Sequence, residues 1–555
     1  MSSPTLETTP AAMDRRSLGL QAVLQRGVHQ ALLKWPDAWP LLRDAGHELS
    51  YGDCRQWVST AREQLLADCG GQAVAIWMDK QALYAQCILA TLFSGARYLP
   101  LDGAQPVERV QAIVADARPA LLILDAAHAE LWLQAQAQRR DPDTRPTRLL
   151  VLSEQTPALE AWADAWAEAQ GRWLSPKLTG LPPGPALQEE RIDPGAVAAI
   201  LYTSGSTGLP KGVQLSQLNV LNFVSWAAQT LGLQHEDRLL NLASFNFDLS
   251  TFDLFAALQA GASVYISHES ELRHMARLGE LLEQQATTVV YGVPSTFGLL
   301  LRSGVLTPER QSALRHLIFA GEVMPKPLLQ ALAAQLPRDC RLYNFYGPTE
   351  TNVCLWHPVS AEDLASDGPV PIGRPIRGAE VWLQDESGRH IVEEGHQGEI
   401  WVAGDCVTPG YWQRPDDANS HQHRLGRHAT GDQGSWHRGS LLYHGRRDRM
   451  VKIHGFRVEL GEIEAALARQ SQLAECAVLA LPGASGTRLL AAYVPREGCC
   501  VPGTLALKQH CASLLPAYMV PQQWVALAQL PKNANGKIDL RRLQALILDE
   551  EAAQS

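Results

Sequence analysis

Cysteine is scarce in this chain, with ten in 555 residues, at positions 54, 69, 87, 340, 354, 406, 476, 499, 500 and 511. No Cys-x-x-Cys pair occurs, and the adjacent Cys499 and Cys500 are too tight for ordinary chelation. This argues against a structural zinc site or a disulfide framework and fits a reduced chain with scattered thiols. Long apolar runs are missing as well. None reaches the ~20 residues that a membrane-spanning helix needs. The opening Met1–Leu20 lacks the basic head and apolar core of a secretory signal. Its Ser, Thr and Pro predict a flexible leader over 1–20, and the expected compartment is the cytoplasm. Basic blocks are absent too. With 48 Lys and Arg against 58 Asp and Glu, the formal net charge is −10. That balance excludes a general nucleic-acid or anionic-membrane binder, though not a local cationic site for an anionic ligand. No internal repeat is visible.

Hydrophobic residues make up 46% of the chain, and its length predicts three to five folding units. Ala73–Trp77 is a short apolar run between Gly71 and Asp79, which predicts a buried strand. Helical spacing over Ala82–Ser94 and a second strand at Tyr98–Leu101 follow. That rhythm implies parallel sheets with helices on both faces. Residues 136–195 read as a surface insertion or subdomain edge. The strand–loop–helix pattern resumes from Ala196 to about Cys340, and the Gly- and Pro-rich residues 369–445 predict a small β-rich unit. The stretch after Gly445 is large enough to fold alone.

The most informative segment is Leu201–Val213, Leu-Tyr-Thr-Ser-Gly-Ser-Thr-Gly-Leu-Pro-Lys-Gly-Val. An apolar strand feeds a loop in which Gly205 and Gly208 allow close backbone approach. Thr203, Ser204, Ser206 and Thr207 add hydroxyls, and Lys211 adds positive charge. Backbone amides, hydroxyls and one Lys suit a polyphosphate. Gly205, Gly208 and Lys211 lie at intervals of three with no Ser or Thr after the Lys, unlike the Walker loop.

The whole string resembles the phosphate loop of the adenylate-forming superfamily, which includes acyl-CoA synthetases, luciferases and nonribosomal peptide synthetase adenylation domains. Further segments match in order, over roughly residues 25–545. The resemblance implies that Tyr346, in Asn344–Glu350, stacks on adenine, that Thr349 bonds a phosphate, and that Glu350 holds Mg²⁺. A carboxylate beside a triphosphate suits that hard cation. Asp432 of Thr430-Gly431-Asp432 is implied to accept from both ribose hydroxyls, an acceptor-only role that fits a diol. Here the chain departs from its relatives: His428-Ala429 stands where an aromatic and a basic residue are usual, after a short, His-rich Pro415–Arg427. Gly445–Asp448 resembles the hinge, with Arg446 as a ribose contact and Asp448 as the hinge residue. Val451–Glu459 resembles the segment that enters the site for thioester formation, with His454 where Arg is common. Lys537, in Pro531–Lys537, resembles the catalytic Lys that bridges the substrate carboxylate and the α-phosphate.

The implied fold is α/β. A large core, 21–447, would hold two parallel-rich α/β subdomains and a small β-barrel-like one, followed by a mobile α+β lid, 448–555. The implied ligands are ATP and Mg²⁺.

Phe247–Phe252 narrows the class. In amino-acid-activating relatives an Asp at the position of Asp248 pairs with the substrate ammonium. The alternative is an Asp that caps a helix starting near Leu249. The other matched pocket positions are Leu249, Phe252, Gly292, Ile318, Ala320, Phe345, Val353 and Cys354, all uncharged. They imply a small neutral side chain, such as that of proline, alanine or glycine. Gly347–Cys354 resembles free-standing prolyl-carrier-protein ligases. No Gly-Gly-x-Ser carrier site or His-His-x-x-x-Asp condensation motif occurs, and eighteen residues follow Lys537. The expected enzyme is a free-standing ligase that loads a carrier protein in trans, in nonribosomal peptide biosynthesis. An acyl- or aryl-CoA ligase and a non-catalytic nucleotide-binding module are the alternatives.

Overall fold

The computed structural model describes residues 26–138, 148–154, 171–205, 210–483, 486–496, 502–532 and 538–554. Two large sheets form its centre. The first has seven strands in the order Arg172–Leu174, Leu149–Leu152, Leu121–Leu124, Ala73–Met78, Arg97–Asp102, Val197–Thr203, Lys211–Ser216. Its strands run parallel apart from the last pair. Helices Ala82–Phe93 and Val107–Ala117 make the crossovers on either side of Arg97–Asp102. All six residues of Ala73–Met78 are buried, as its unbroken apolar run predicts for a strand covered on both faces.

Residues 136–195 hold the sheet edge at Arg172–Leu174, in keeping with a subdomain edge, but Leu149–Leu152 beside it corrects the reading of a surface insertion. It is fully buried and pairs in parallel with Leu121–Leu124. Its four apolar residues are too few to stand out from the polar sequence around them.

The second sheet has nine strands, in the order Arg374–Pro375, Leu355–Pro358, Arg341–Tyr346, His316–Phe319, Val289–Gly292, Arg238–Asn241, Ser263–Ile266, Pro40–Arg43, Glu48–Ser50. Its middle is parallel and its edges antiparallel. Phe223, Phe252, Phe255, Tyr291 and Phe345 belong to the largest apolar core, which also takes in strand residues of both sheets. Edge-on contacts of Phe252 and Phe345 with Tyr291, at 5.3 and 5.8 Å, tie strands Val289–Gly292 and Arg341–Tyr346 to helical Phe252.

A five-stranded antiparallel sheet follows, in the order His390–Ile391, Ala379–Gln384, Gln397–Gly404, Arg427–His437, Ser440–Arg446. Burial alternates along Arg427–His437, so one face packs on the core and the other is more open.

After Asp448 the chain builds a separate α+β unit. Hairpin Met450–Ile453/Phe456–Glu459 leads into helix Leu460–Leu467. A three-stranded sheet is formed by Leu473–Gly483, Gly486–Pro495 and Gln523–Ala526. Leu489, Ala491 and Tyr493 share a core with the hairpin and with helices Leu460–Leu467 and Thr504–Leu514. Leu490 and Ala492 face the other way, against Leu530, Leu543 and Ile547. Among the described residues no helix is long and apolar enough to cross a membrane.

Gly347 closes the turn after strand Arg341–Tyr346 so tightly that a Cβ there would lie 1.6 Å from the Asn352 carbonyl oxygen. Gly347→Ala is therefore expected to destabilise the protein by about 1–3 kcal/mol or more through overpacking. Gly368→Ala, in open space, should leave the thermal midpoint unchanged. Thermal denaturation of the two variants checks this.

Candidate active site

The site forms where strands of both sheets end. Val197–Thr203 delivers Ser204 and Gly205, and Arg341–Tyr346 delivers Tyr346 and the turn to Glu350. His316–Phe319 is followed by Ala320 and Gly321. Loops at the carboxyl ends of parallel strands are the usual place for ligands in such sheets.

Asp432 and Arg446 are cross-strand partners in the five-stranded sheet. That register sets the Arg446 guanidinium 2.7 Å from Asp432 Oδ1. The Tyr346 hydroxyl donates to Asp432 Oδ2 at 2.5 Å. Arg446 also grips both oxygens of Asp448, at 2.7 and 2.8 Å, so the expected hinge residue is held against the expected ribose site.

Glu350 is buried, at 1% exposure. Arg457 of the C-terminal hairpin reaches its two oxygens at 2.9 and 3.2 Å, and the Tyr411 hydroxyl donates at 2.8 Å. Burial opposes ionisation of Glu350, but Arg457 and Tyr411 outweigh it and hold the carboxyl far below the usual range. His428 Nε2 lies 3.9 Å away, and burial lowers its pKa to about 3, so it is neutral. Its Nδ1 shares a hydrogen bond of 2.9 Å with His423 Nε2. The His-rich departure seen in the sequence thus forms a buried neutral pair behind Glu350. Lys211 Nζ stands 4.5 Å over the Tyr411 ring, a cation–π contact that joins the phosphate loop to the same cluster. Glu350 offers hard oxygen donors in ionised form, which fits Mg²⁺. In this arrangement the positive charge beside it is the Arg457 guanidinium.

The hairpin fills the site. Lys452, Gly455, Phe456 and Arg457 line a cavity with only about 60 Å³ of free volume, together with Asp248, Leu249, Tyr291, Ala320 and Val353. Lys452 Nζ lies 6.0 Å over the Tyr346 ring. Phe456 stacks between Tyr518 at 4.1 Å and Phe247 at 5.1 Å. The Gly455 N–H and the Ser295 N–H both donate to Glu322, each at 3.0 Å. A second cavity of about 220 Å³ runs alongside, lined by Lys80, Phe247, Leu249, Gly292, His454 and Phe456 among others.

Asp248 is 7% exposed and precedes the short helix Leu249–Thr251, yet its side chain makes no capping bond. Burial pushes its carboxyl up to about 6, against the Thr349 hydroxyl and the Lys452 ammonium, which favour the ionised form.

The expected pocket residues separate into layers. Asp248, Leu249, Ala320 and Val353 line the first cavity. Phe252 and Phe345 stand behind Tyr291, and Ile318 is buried in the same core. A Cβ on Gly292 would meet Leu242 and Phe297, and this glycine lines the second cavity. Cys354 packs under the five-stranded sheet with Leu383 and Ile400, and burial pushes its thiol up to about 12. Thr203, Ser204 and Thr349 line the first cavity, and Gly205 follows directly on the strand end. Ser206, Thr207, Gly208 and Lys537 lie outside the described residues.

Tyr291, Tyr411 and Glu322 were not among the expected site residues. Tyr291 sits beside Gly292 in an apolar strand and looks like core.

The sequence matches AMP-binding enzyme over residues 28–412 and AMP-binding enzyme C-terminal domain over 462–537. The chain belongs to the AMP-binding enzyme family. It is an adenylate-forming ligase. An L-proline--[L-prolyl-carrier protein] ligase of Streptomyces coelicolor is 46% identical over 504 residues, covering 89% of this chain and 91% of the relative. One from Pseudomonas fluorescens is 37% identical over 471 residues, covering 84% and 88%. Among solved structures, the Vibrio cholerae adenylation domain AlmE, in complex with glycyl-adenosine-5'-phosphate, superposes with a TM-score of 0.79 at 25% identity, covering 94% of this chain and 97% of AlmE. The amide bond synthetase McbA of Marinactinospora thermotolerans shares the fold, with a TM-score of 0.80 at 21% identity over 94% and 99% of the two chains.

Asp432→Asn in this AMP-binding enzyme removes the charge that faces Arg446, at the expected ribose site. A charge-assisted hydrogen bond contributes about 1.5–3 kcal/mol. AMP affinity, measured by calorimetric titration, is expected to fall ~10- to 100-fold.

Proposed function

We propose that the enzyme activates L-proline as prolyl-AMP and passes the prolyl group to the phosphopantetheine thiol of a separate carrier protein, in nonribosomal peptide biosynthesis. Asp248 carries the amino-acid reading. It is a buried carboxylate in a cavity where Leu249, Tyr291, Ala320 and Val353, all uncharged, also form the wall. A substrate ammonium supplies the partner that such a carboxylate needs. The two proline-named relatives, similar over most of their length, support proline among small neutral amino acids.

In the first half-reaction the substrate carboxylate attacks the α-phosphorus of ATP, and the α–β phosphoanhydride bond breaks to release pyrophosphate. The loop from Thr203 to Lys211 binds phosphates, Tyr346 supports adenine, and Asp432 with Arg446 orients the ribose. Mg²⁺ bound at Glu350 would neutralise charge on the triphosphate. Lys537 stabilises the negative charge that builds at the α-phosphate and the attacking oxygen. In the second half-reaction the thiol sulfur attacks the prolyl carbonyl, the acyl–phosphate bond breaks, and AMP leaves.

The 60 Å³ cavity filled by Lys452, Phe456 and Arg457 supports a working arrangement for this second step, with the second cavity beside Gly292 and His454 as a path for the thiol arm. The residues flanking Lys537 fit the same view. Leu530 and Ile538 pack on the face of the three-stranded sheet opposite the hairpin. Rotation about Asp448 exchanges the two faces between half-reactions.

Proline-dependent exchange of pyrophosphate into ATP tests the reading. Exchange is expected with proline above the other nineteen amino acids, and Lys537→Ala should abolish it. Unchanged exchange in that variant refutes the role of Lys537. Activity of Asp248→Ala on a simple carboxylic acid would favour an acyl-CoA ligase instead.

The Asp248 pKa of about 6 also sets a pH dependence. Below that value the carboxyl is protonated and the ammonium loses its counter-charge. From pH 7 to pH 5 the ionised fraction falls ~10-fold, so the apparent KM for proline should rise by that factor. Asp248→Asn should show a high KM with no such pH dependence, read from exchange kinetics at saturating ATP.

A further inference from the structure

We propose that Asn352 and Thr251 are positioning residues that set amino-acid selectivity, by tying the apolar wall of the substrate pocket at Val353 to the Asp248 segment. The inference rests on the proline reading above and names residues that enforce it.

Asn352 follows the turn from Gly347 to Glu350 and directly precedes Val353. It is 4% exposed, lines the first cavity, and has a backbone φ of +50°. Asn enters that left-handed region more readily than most residues with a side chain, and such positions gather at ligand sites. Both ends of its amide are used. The Val353 N–H donates to Asn352 Oδ1 at 2.9 Å. Asn352 Nδ2 donates to Thr251 Oγ1 at 3.1 Å, and Thr251 Oγ1 donates in turn to the Asp248 carbonyl oxygen at 2.6 Å. Thr251 is 2% exposed, so the chain of bonds is shielded from solvent. It joins segments 101 residues apart. Each segment supplies part of the same cavity wall, Asp248 and Leu249 from one and Val353 from the other.

Leu249, Phe252 and Val353 already share one apolar core, but apolar burial carries no direction. A buried and satisfied hydrogen-bond chain does carry direction. It also resists spreading of the two segments, because an amide or hydroxyl left unpaired there is costly. The substrate makes that spacing matter. In proline the side chain returns to its own nitrogen, so the ring carbons and the ammonium keep a fixed separation. A pocket for proline needs its apolar wall and its counter-charge at one matching distance. A six-membered ring needs a wider gap, and alanine, with no ring, makes no such demand. The bonds of Asn352 and Thr251 hold the gap between Asp248 and Val353 at one width.

Pyrophosphate exchange at saturating ATP tests this, with proline, its six-membered-ring homologue pipecolate, and alanine as substrates. Thr251→Val keeps the side-chain shape and removes the hydroxyl that carries the tie. It is expected to lower the kcat/KM ratio of proline to pipecolate at least ~10-fold, the scale on which a pocket discriminates one methylene, with the KM for ATP kept within about 2-fold. The fall should come chiefly from a higher KM for proline. Thr251→Ser, which retains the hydroxyl, should restore the ratio. Asn352→Gly accepts the left-handed backbone and removes the amide, so it should repeat the Thr251→Val profile. An unchanged ratio in Thr251→Val and Asn352→Gly would overturn the tie, as would an equal fall with all three substrates. A wild-type chain that prefers another amino acid would refute the proline reading alone. Weakening of that preference in the two variants would then support the tie, and an unchanged preference would overturn it.

Discussion

Glu350 carries a charge where almost no water reaches it, and a buried carboxylate persists as an anion only beside a counter-charge. Arg457 supplies that charge from the C-terminal hairpin. The pair sets the position of the hairpin, and the hairpin in turn places Lys452 over Tyr346 and Phe456 between Phe247 and Tyr518. Tyr411 joins Glu350 to Lys211 from the other side. One electrostatic requirement therefore links Lys211, Tyr346 and the placement of the C-terminal hairpin. A hard divalent cation meets the same requirement.

The two parallel sheets make that cluster possible. Parallel strands buried on both faces leave polar backbone and side chains to gather at their ends, and strands of both sheets end at one crevice. Ser204, Ala320 and Tyr346 come from strands far apart in sequence, yet all sit at carboxyl ends. The antiparallel sheet contributes differently. Its cross-strand register pairs Asp432 with Arg446, and Arg446 extends the chain of charges to Asp448, where the C-terminal unit begins.

Much of this was legible in residue order. The Gly- and Ser-rich loop after an apolar strand carries a local signature of backbone freedom, and Glu350, Asp432 and Arg446 stand in ordered motifs that resemble those of the family. Other features were hidden for definite reasons. Leu149–Leu152 is too short to announce a strand within a polar stretch. Tyr291 reads as core because it lies in an apolar strand, while its ring lines the first cavity. Gly292, one residue on, has no side chain to show direction, and strand alternation turns it toward Leu242 and Phe297. Cys354 follows Val353 directly, in the turn before strand Leu355–Pro358, and packs beneath the five-stranded sheet.

The sequence by itself determined the family, the α/β architecture and the inventory of charged and hydroxyl groups, because these rest on local patterns of glycine, apolar runs and ordered motifs. Only the tertiary structure decided which charges meet. Arg457 with Glu350 and Arg109 with Glu462 are each more than a hundred residues apart. Such partners are chosen by how two domains dock, and docking depends on the shape and burial of whole surfaces rather than on any segment of the chain.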